Sequence, residues 1–232
     1  MDSYLYLILN LSVISVPFIF SFYPKTEFWS VWKNLIPGLV IMGILYLIWD
    51  IIFTKLNVWS FNDRYLIGYS FLNLPVEEWL FFICIPYASL FIHFSMVKLY
   101  PTWKFSSSIT KILTGILIFV LFILVLMNPG KLYTNVCFTL TISLLLWVTI
   151  TKLELLQTFL LSYLFILIPF FIVNGILTGS FIAEPVVWYN NNHNLEFRIG
   201  TIPFEDIFYG LTLLMGTIFI SEKFFEDPAY FQ

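Results

Sequence analysis

Two short acidic stretches stand out in an otherwise apolar chain, Pro75-Val76-Glu77-Glu78 and Pro203-Phe204-Glu205-Asp206. Each runs straight into apolar sequence, Trp79-Leu80-Phe81-Phe82-Ile83 after the first and Ile207-Phe208-Tyr209-Gly210-Leu211 after the second. Ionisable groups at membrane depth are costly and by default mark function. Neighbouring carboxyl groups repel and burial disfavours their charge, so one member of such a pair can keep its proton at neutral pH. In an apolar site that proton can be given to a hydrocarbon double bond. The competing reading is helix capping, because proline suits a first helical turn and carboxylates there complement the helix dipole. A cap needs one acid, whereas each motif carries two, and the signature recurs about half a chain later. These points favour a pseudo-symmetric site of paired carboxylates.

Successive helical residues point about 100° apart, so the two acids of a pair cannot face a substrate equally. Glu77 and Glu205 follow Pro-x directly in both motifs and are the expected primary acid/base set, with Glu78 and Asp206 tuning protonation. Phe82 and Tyr209 lie one turn further on and can present π-faces to a cation. Asp50 closes the second apolar run, either as an end-of-helix charge or as a partner of the acids. Asn174 closes the sixth and reads more readily as helix-helix glue. His93 reads as structural, His193 falls in a loop, and Arg198 either pairs with an acid or only sets topology. Cys84 and Cys137 sit inside apolar runs as inert thiols, without metal-ligand spacing, and no metal is expected.

The elements that must position these groups are membrane helices. The chain has 232 residues, 60% hydrophobic and only 11% charged, where a soluble domain carries about a quarter charged. The composition is that of an integral membrane protein. A net charge of −3 gives no ground for a nucleic-acid partner. The N-terminus has no basic n-region, so no cleavable leader is expected. Apolar windows predict seven spans near 4–22, 35–53, 75–97, 109–127, 132–150, 155–175 and 203–221. Turn chemistry such as Tyr23-Pro24, Tyr100-Pro101 and Asn128-Pro129-Gly130 separates several of them. The stretch 180–198, with Asn190-Asn191-Asn192-His193-Asn194, reads as a polar loop.

The motifs also predict a repeat. Helices one to three end on the first motif's helix and helices five to seven on the second's, with helix four restoring direction between two parallel three-helix units. The expected division is 1–107, a linking helix at 108–130, and 131–232. Helices three and seven then enter from one face, and their acids converge on one cavity. Lys55, Arg64, Lys131 and Arg198 fall on the N-terminal side, against Lys25, Lys33, Lys98, Lys104, Lys111, Lys152 and Lys223 on the other. The bias predicts an outside N-terminus and a cytoplasmic C-terminus.

The segments Leu74-Pro75-Val76-Glu77-Glu78-Trp79-Leu80-Phe81-Phe82 and Arg198-Ile199-Gly200-Thr201-Ile202-Pro203-Phe204-Glu205-Asp206 resemble the small membrane lycopene β-cyclases. In that family two homologous short subunits occur separately or fused, and this chain looks like the fused form over nearly its whole length. Asn174-Gly175-Ile176-Leu177 and the polar loop after it are also similar to the family's second half. The resemblance implies a prokaryotic cell-membrane enzyme acting on lycopene, or a related acyclic carotenoid, dissolved in lipid. It implies an isomerisation: an acid protonates a terminal double bond, a neighbouring double bond attacks the tertiary cation, and loss of a ring proton leaves a β-ionone ring. No cofactor is implied, and the chain carries neither G-x-G-x-x-G nor a βαβ pattern for a flavin.

Other seven-helix or acid-bearing classes fit less well. A retinal protein needs a lysine in its last span, and 203–221 has none. An intramembrane metalloprotease needs histidines beyond His93 and His193, and a prenyltransferase needs aspartate-rich motifs where Asp50 stands alone. The non-enzyme alternative is a proton-coupled transporter with paired carboxylates at a repeat interface.

Overall fold

The computed structural model of the chain describes residues 2–222; Lys223, counted above for orientation, lies outside them. Among the described residues seven long helices form on the apolar stretches: α1 (Leu5–Phe20), α2 (Trp32–Lys55), α3 (Val76–Leu99), α4 (Ser107–Met127), α5 (Leu132–Thr151), α6 (Leu153–Leu177) and α7 (Phe204–Ser221). All seven, α1 with the short turn before it, are long and apolar enough to cross a bilayer. Their outward faces are bare and apolar, as at Ile112, Phe119, Leu126, Leu146, Ile168 and Ile172. This is an all-α polytopic architecture compatible with an integral membrane protein. Prolines inside α1, α2, α3 and α6 are carried within the helices.

The α1–α2, α3–α4 and α5–α6 connections lie at one end of the bundle, where Lys98 pairs with Glu27 and Lys152 with Glu222. The remaining connections meet at the other end. There Arg64 binds Asp2, and Lys131 binds Glu196 and the Asn191 carbonyl. Helices α1, α3, α5 and α7 therefore all start from that second end, and both acidic motifs sit there. α1 packs on α3 and α5 on α7, while α2 crosses to α7 and α6 crosses to α3. α4 lies outside this set, against α5 and α6. α7 is the central helix, with 67% of its span buried against 17% for α4.

The stretch read as a polar loop contains structure. Trp59–Phe61 (β1) pairs antiparallel with Val187–Tyr189 (β4), in the register Trp59↔Tyr189, Ser60↔Trp188, Phe61↔Val187. Moving each residue to its counterpart in the other half exchanges the first and last pairs and returns Ser60↔Trp188 to itself. The two halves are thus related by a pseudo-twofold axis through the ribbon. Two hairpins obey the same relation: Ser70–Phe71 (β2) with Leu74–Pro75 (β3), and Arg198–Ile199 (β5) with Ile202–Pro203 (β6). Leu72 and Asn73 both take positive φ in the first turn, as a two-residue hairpin of the primed type demands; in the second only Gly200 does. Pro75 and Pro203 end these hairpins at the N-cap positions of α3 and α7, one place before the first helical turn.

Candidate active site

The first turns of α3 and α7 hold the four acids, all buried. The members of each pair point different ways. Glu77 Oε1 accepts from the Ile67 N–H at 2.7 Å, and Glu205 Oε1 accepts from the Leu195 N–H at 2.8 Å. Thr134 adds a second bond to Glu205 at 2.6 Å. These two glutamates clamp the loops that lead into the hairpins, beside the left-handed residues Gly68 and Glu196. Their backbone carbonyls accept from Asn10 Nδ2 and Cys137 Sγ respectively, again at equivalent positions.

Glu78 and Asp206 face inward. Glu78 Oε2 accepts from the Tyr6 hydroxyl. Asp206 Oδ1 accepts from the Tyr133 hydroxyl at 2.7 Å, and its Oδ2 accepts from Asn174 Nδ2 at 2.8 Å and the Tyr189 hydroxyl at 2.9 Å. Tyr6 and Tyr133 occupy equivalent places at the start of α1 and α5. Asp50 Oδ1 accepts from Trp59 Nε1 and, at 3.5 Å, from Thr54, while its buried Oδ2 has no partner. Burial and the adjacent Asp206 carboxyl push the Tyr189 phenol well above its ordinary value, so it donates as a neutral hydroxyl.

Glu78, Asp50 and Asp206 line one end of a cavity of about 320 Å³ between α1, α3, α6 and α7, within the range of small-molecule sites. Trp59, Tyr133, Tyr189 and Tyr209 surround that end with aromatic faces. The rest is apolar and runs down α3 past Ile85 and Ala88 to Ile92, a reach of roughly 21 Å at 1.5 Å per residue. Ring centroids of Trp59 and Tyr133 lie 5.2 Å apart and those of Trp59 and Tyr209 6.4 Å apart, forming a connected aromatic wall.

The sequence-selected residues divide accordingly. Asp50, Glu78, Asn174, Asp206 and Tyr209 line the cavity. Glu77 and Glu205, expected to face substrate first, instead lie behind its wall, because the loop N–H groups claim their carboxyls. Phe82 also lies off the cavity, packed against Tyr46 and Leu213. Among the described residues Arg198 binds no acid; it donates to the Thr201 carbonyl and Asn191 and sits over the Tyr189 ring. His93 joins α3 to α6 through Ser162. Among the described residues no group of three or more His, Cys, Asp or Glu has metal-holding geometry. Sequence reasoning missed Tyr6, Tyr133, Tyr189 and Trp59. Aligning the halves on their acidic motifs brings Tyr6 within one residue of Tyr133, and a one-residue shift matches the Leu-Tyr pairs that open both helices.

No curated protein and no solved structure matches the chain. A family model does match, over residues 3–96 and again over 130–224, and its description is lycopene cyclase. With most of its length covered, the chain belongs to the lycopene cyclase family and is a carotenoid cyclase.

Proposed function

We propose that this protein closes a linear end group of lycopene, or a related acyclic carotenoid, into a β-ionone ring by proton-initiated, non-redox isomerisation. The observation that carries this reading is the convergence of carboxyls from both acidic motifs on one end of a single apolar cavity. A terminal double bond seated there meets protonatable groups at its tip and hydrocarbon along its length. The aromatic faces of Trp59, Tyr133, Tyr189 and Tyr209 stabilise the cation that follows. Burial keeps water from capturing it. Glu78 and Asp206 carry the proton chemistry, Asp50 and Asn174 complete the site, and Glu77 and Glu205 hold the loops that close it.

The same reading takes residues 1–107 and 131–232 as two cyclase units with 108–130 as their linker. It places the protein in a prokaryotic cell membrane, with the acidic end and the N-terminus outside. Lys25, Lys33, Lys98, Lys104, Lys111 and Lys152 at the far end of the bundle support that orientation.

Expression in a host that accumulates lycopene tests the function. The expected product is γ- or β-carotene of unchanged mass, and in deuterated water each new ring gains one solvent deuteron. Unaltered lycopene beside membrane-inserted, extractable protein would overturn the assignment.

A further inference from the structure

The pseudo-twofold axis relates the two halves of the site, yet their hydrogen bonding differs, and the difference separates proton donor from proton acceptor. Asp206 accepts three hydrogen bonds, from Tyr133, Asn174 and Tyr189, which use both of its oxygens. Three donors aimed at its two oxygens suit a group that only accepts, as a carboxylate does. The first half has a different inventory. Glu78 receives one hydroxyl, from Tyr6. Where the second half offers the neutral Asn174, the first offers a second acid, Asp50, which lines the same cavity as Glu78. Asp50 Oδ2 is buried with no donor among the described residues and, unlike the equally unpartnered Oε2 atoms of Glu77 and Glu205, it belongs to a residue that lines the cavity with Glu78, where a protonated carboxyl supplies its own O–H. Two carboxyls close together in an apolar wall cannot both ionise, so they share that proton.

We infer that Asp50 and Glu78 together form the proton-donating pair and that Asp206 is the base that ends the reaction. This rests on the cyclase reading above. The pair gives its proton to the CH carbon of the terminal double bond, whose electron pair forms the new C–H bond and leaves the dimethyl carbon cationic. The neighbouring double bond supplies the electrons of the ring-closing C–C bond and passes the positive charge to its far carbon. Asp206 removes the proton from the ring carbon that made the new C–C bond, next to the cationic carbon, and the electrons of that C–H bond become the ring double bond. One proton leaves the pair and one arrives on Asp206. Its return between turnovers restores both groups, with no oxidant or reductant.

Donor and base differ in what their loss does to the product. Asp50→Asn and Glu78→Gln should lower ring formation by about 10²–10⁴-fold, the usual worth of a positioned acid, while the little product formed keeps the β-ring. Asp206→Asn should still form cations, which end by losing a different proton or capturing water. Its rings should therefore carry a displaced double bond or an added hydroxyl. A second variant covers failure of Asp206→Asn to accumulate or to form any ring. Tyr189→Phe removes one donor from Asp206, so ring formation should be lost on the acidic side of the pH profile and recovered as pH rises. Were Asp206 the donor, the same variant would stay active to higher pH. An altered product ratio in Asp50→Asn, wild-type activity in Asp50→Asn, or pure β-ring from Asp206→Asn would overturn the assignment. A wild-type protein that forms no ring would instead overturn the cyclase reading itself.

Discussion

Glu77 and Glu205 are tied to backbone N–H groups of Ile67 and Leu195, so their carboxyls act as acceptors rather than as free acids. A glutamine keeps a carbonyl oxygen for that bond and an alanine does not. Glu205→Gln should therefore retain ring formation within roughly tenfold of wild type, the scale of a ~1.4 kcal/mol change. Glu205→Ala leaves the Leu195 N–H and Thr134 without their acceptor, at a cost of about 1–3 kcal/mol for a stranded buried group. Thermal unfolding in detergent, measured beside turnover, should show the alanine variant less stable and the glutamine variant near wild type. A glutamine variant as inactive as Asp206→Asn would return Glu205 to the chemistry. The acidic motifs were legible because ionisable residues are so rare in this chain. Which acid of each pair faces inward was not legible, because helix phase is set by a loop N–H ten residues upstream and by a tyrosine on another helix, and neither leaves a periodic signal. Ile67 and Leu195 claim one acid of each pair, and the hydroxyls of Tyr6 and Tyr133 claim the other.

Helix contacts in this bundle depend on close approach rather than on an apolar driving force, since lipid is as apolar as leucine. α2 meets α7 at Gly38, where an added Cβ would stand 2.6 Å from the Thr217 carbonyl oxygen and 2.0 Å from Ser221 Oγ. Gly43, five residues along the same helix, has only the Phe82 carbonyl at 3.9 Å. Gly38→Val should push α2 off α7 and lower the thermal midpoint or prevent extraction as a single species. Gly43→Ala should be close to neutral. Equal behaviour of the two would place the α2–α7 contact elsewhere. The seven helices could be read from hydropathy because each is a local, continuous signal. The β1–β4 ribbon could not. Its strands are three residues long, too short for a period, and the pairing joins positions in opposite halves of the chain. Asn190–Asn194 nearby also gave that segment the composition of a loop.

Two related halves suggest two equivalent sites, but the molecule has built its cavity on one side of the pseudo-twofold axis. The walls come from α1, α3 and α6, with α7 behind. On the other side the corresponding space between α2, α5 and α7 is filled by rings. Tyr46 meets Tyr209 at 4.8 Å between centroids, Trp49 meets Phe53 at 5.5 Å, and Phe138 meets Phe208 at 5.3 Å. Both acidic motifs thus send a carboxyl to one chamber, which Trp59, Phe61, Val187 and Tyr189 of the ribbon also line. Val13 and Pro17 of α1 and Phe170 and Val173 of α6 line the cavity yet stay partly exposed, and α1 and α6 make no extensive contact. On the function proposed above, that seam would give a hydrocarbon chain a route in from lipid. On the same proposal, a chamber of this length would admit one end of a long polyene while the remainder trails into the bilayer, so the two ends of a symmetric substrate would be treated in separate visits. The monocyclic product should accordingly appear first and as a free species. Any bicyclic product should follow with a lag, and diluting the membranes with unlabelled lycopene during the reaction should divert labelled monocyclic carotenoid away from the second ring. Bicyclic product from the first turnover, with no chaseable monocyclic pool, would require a second chamber or a dimer that presents two sites to one substrate.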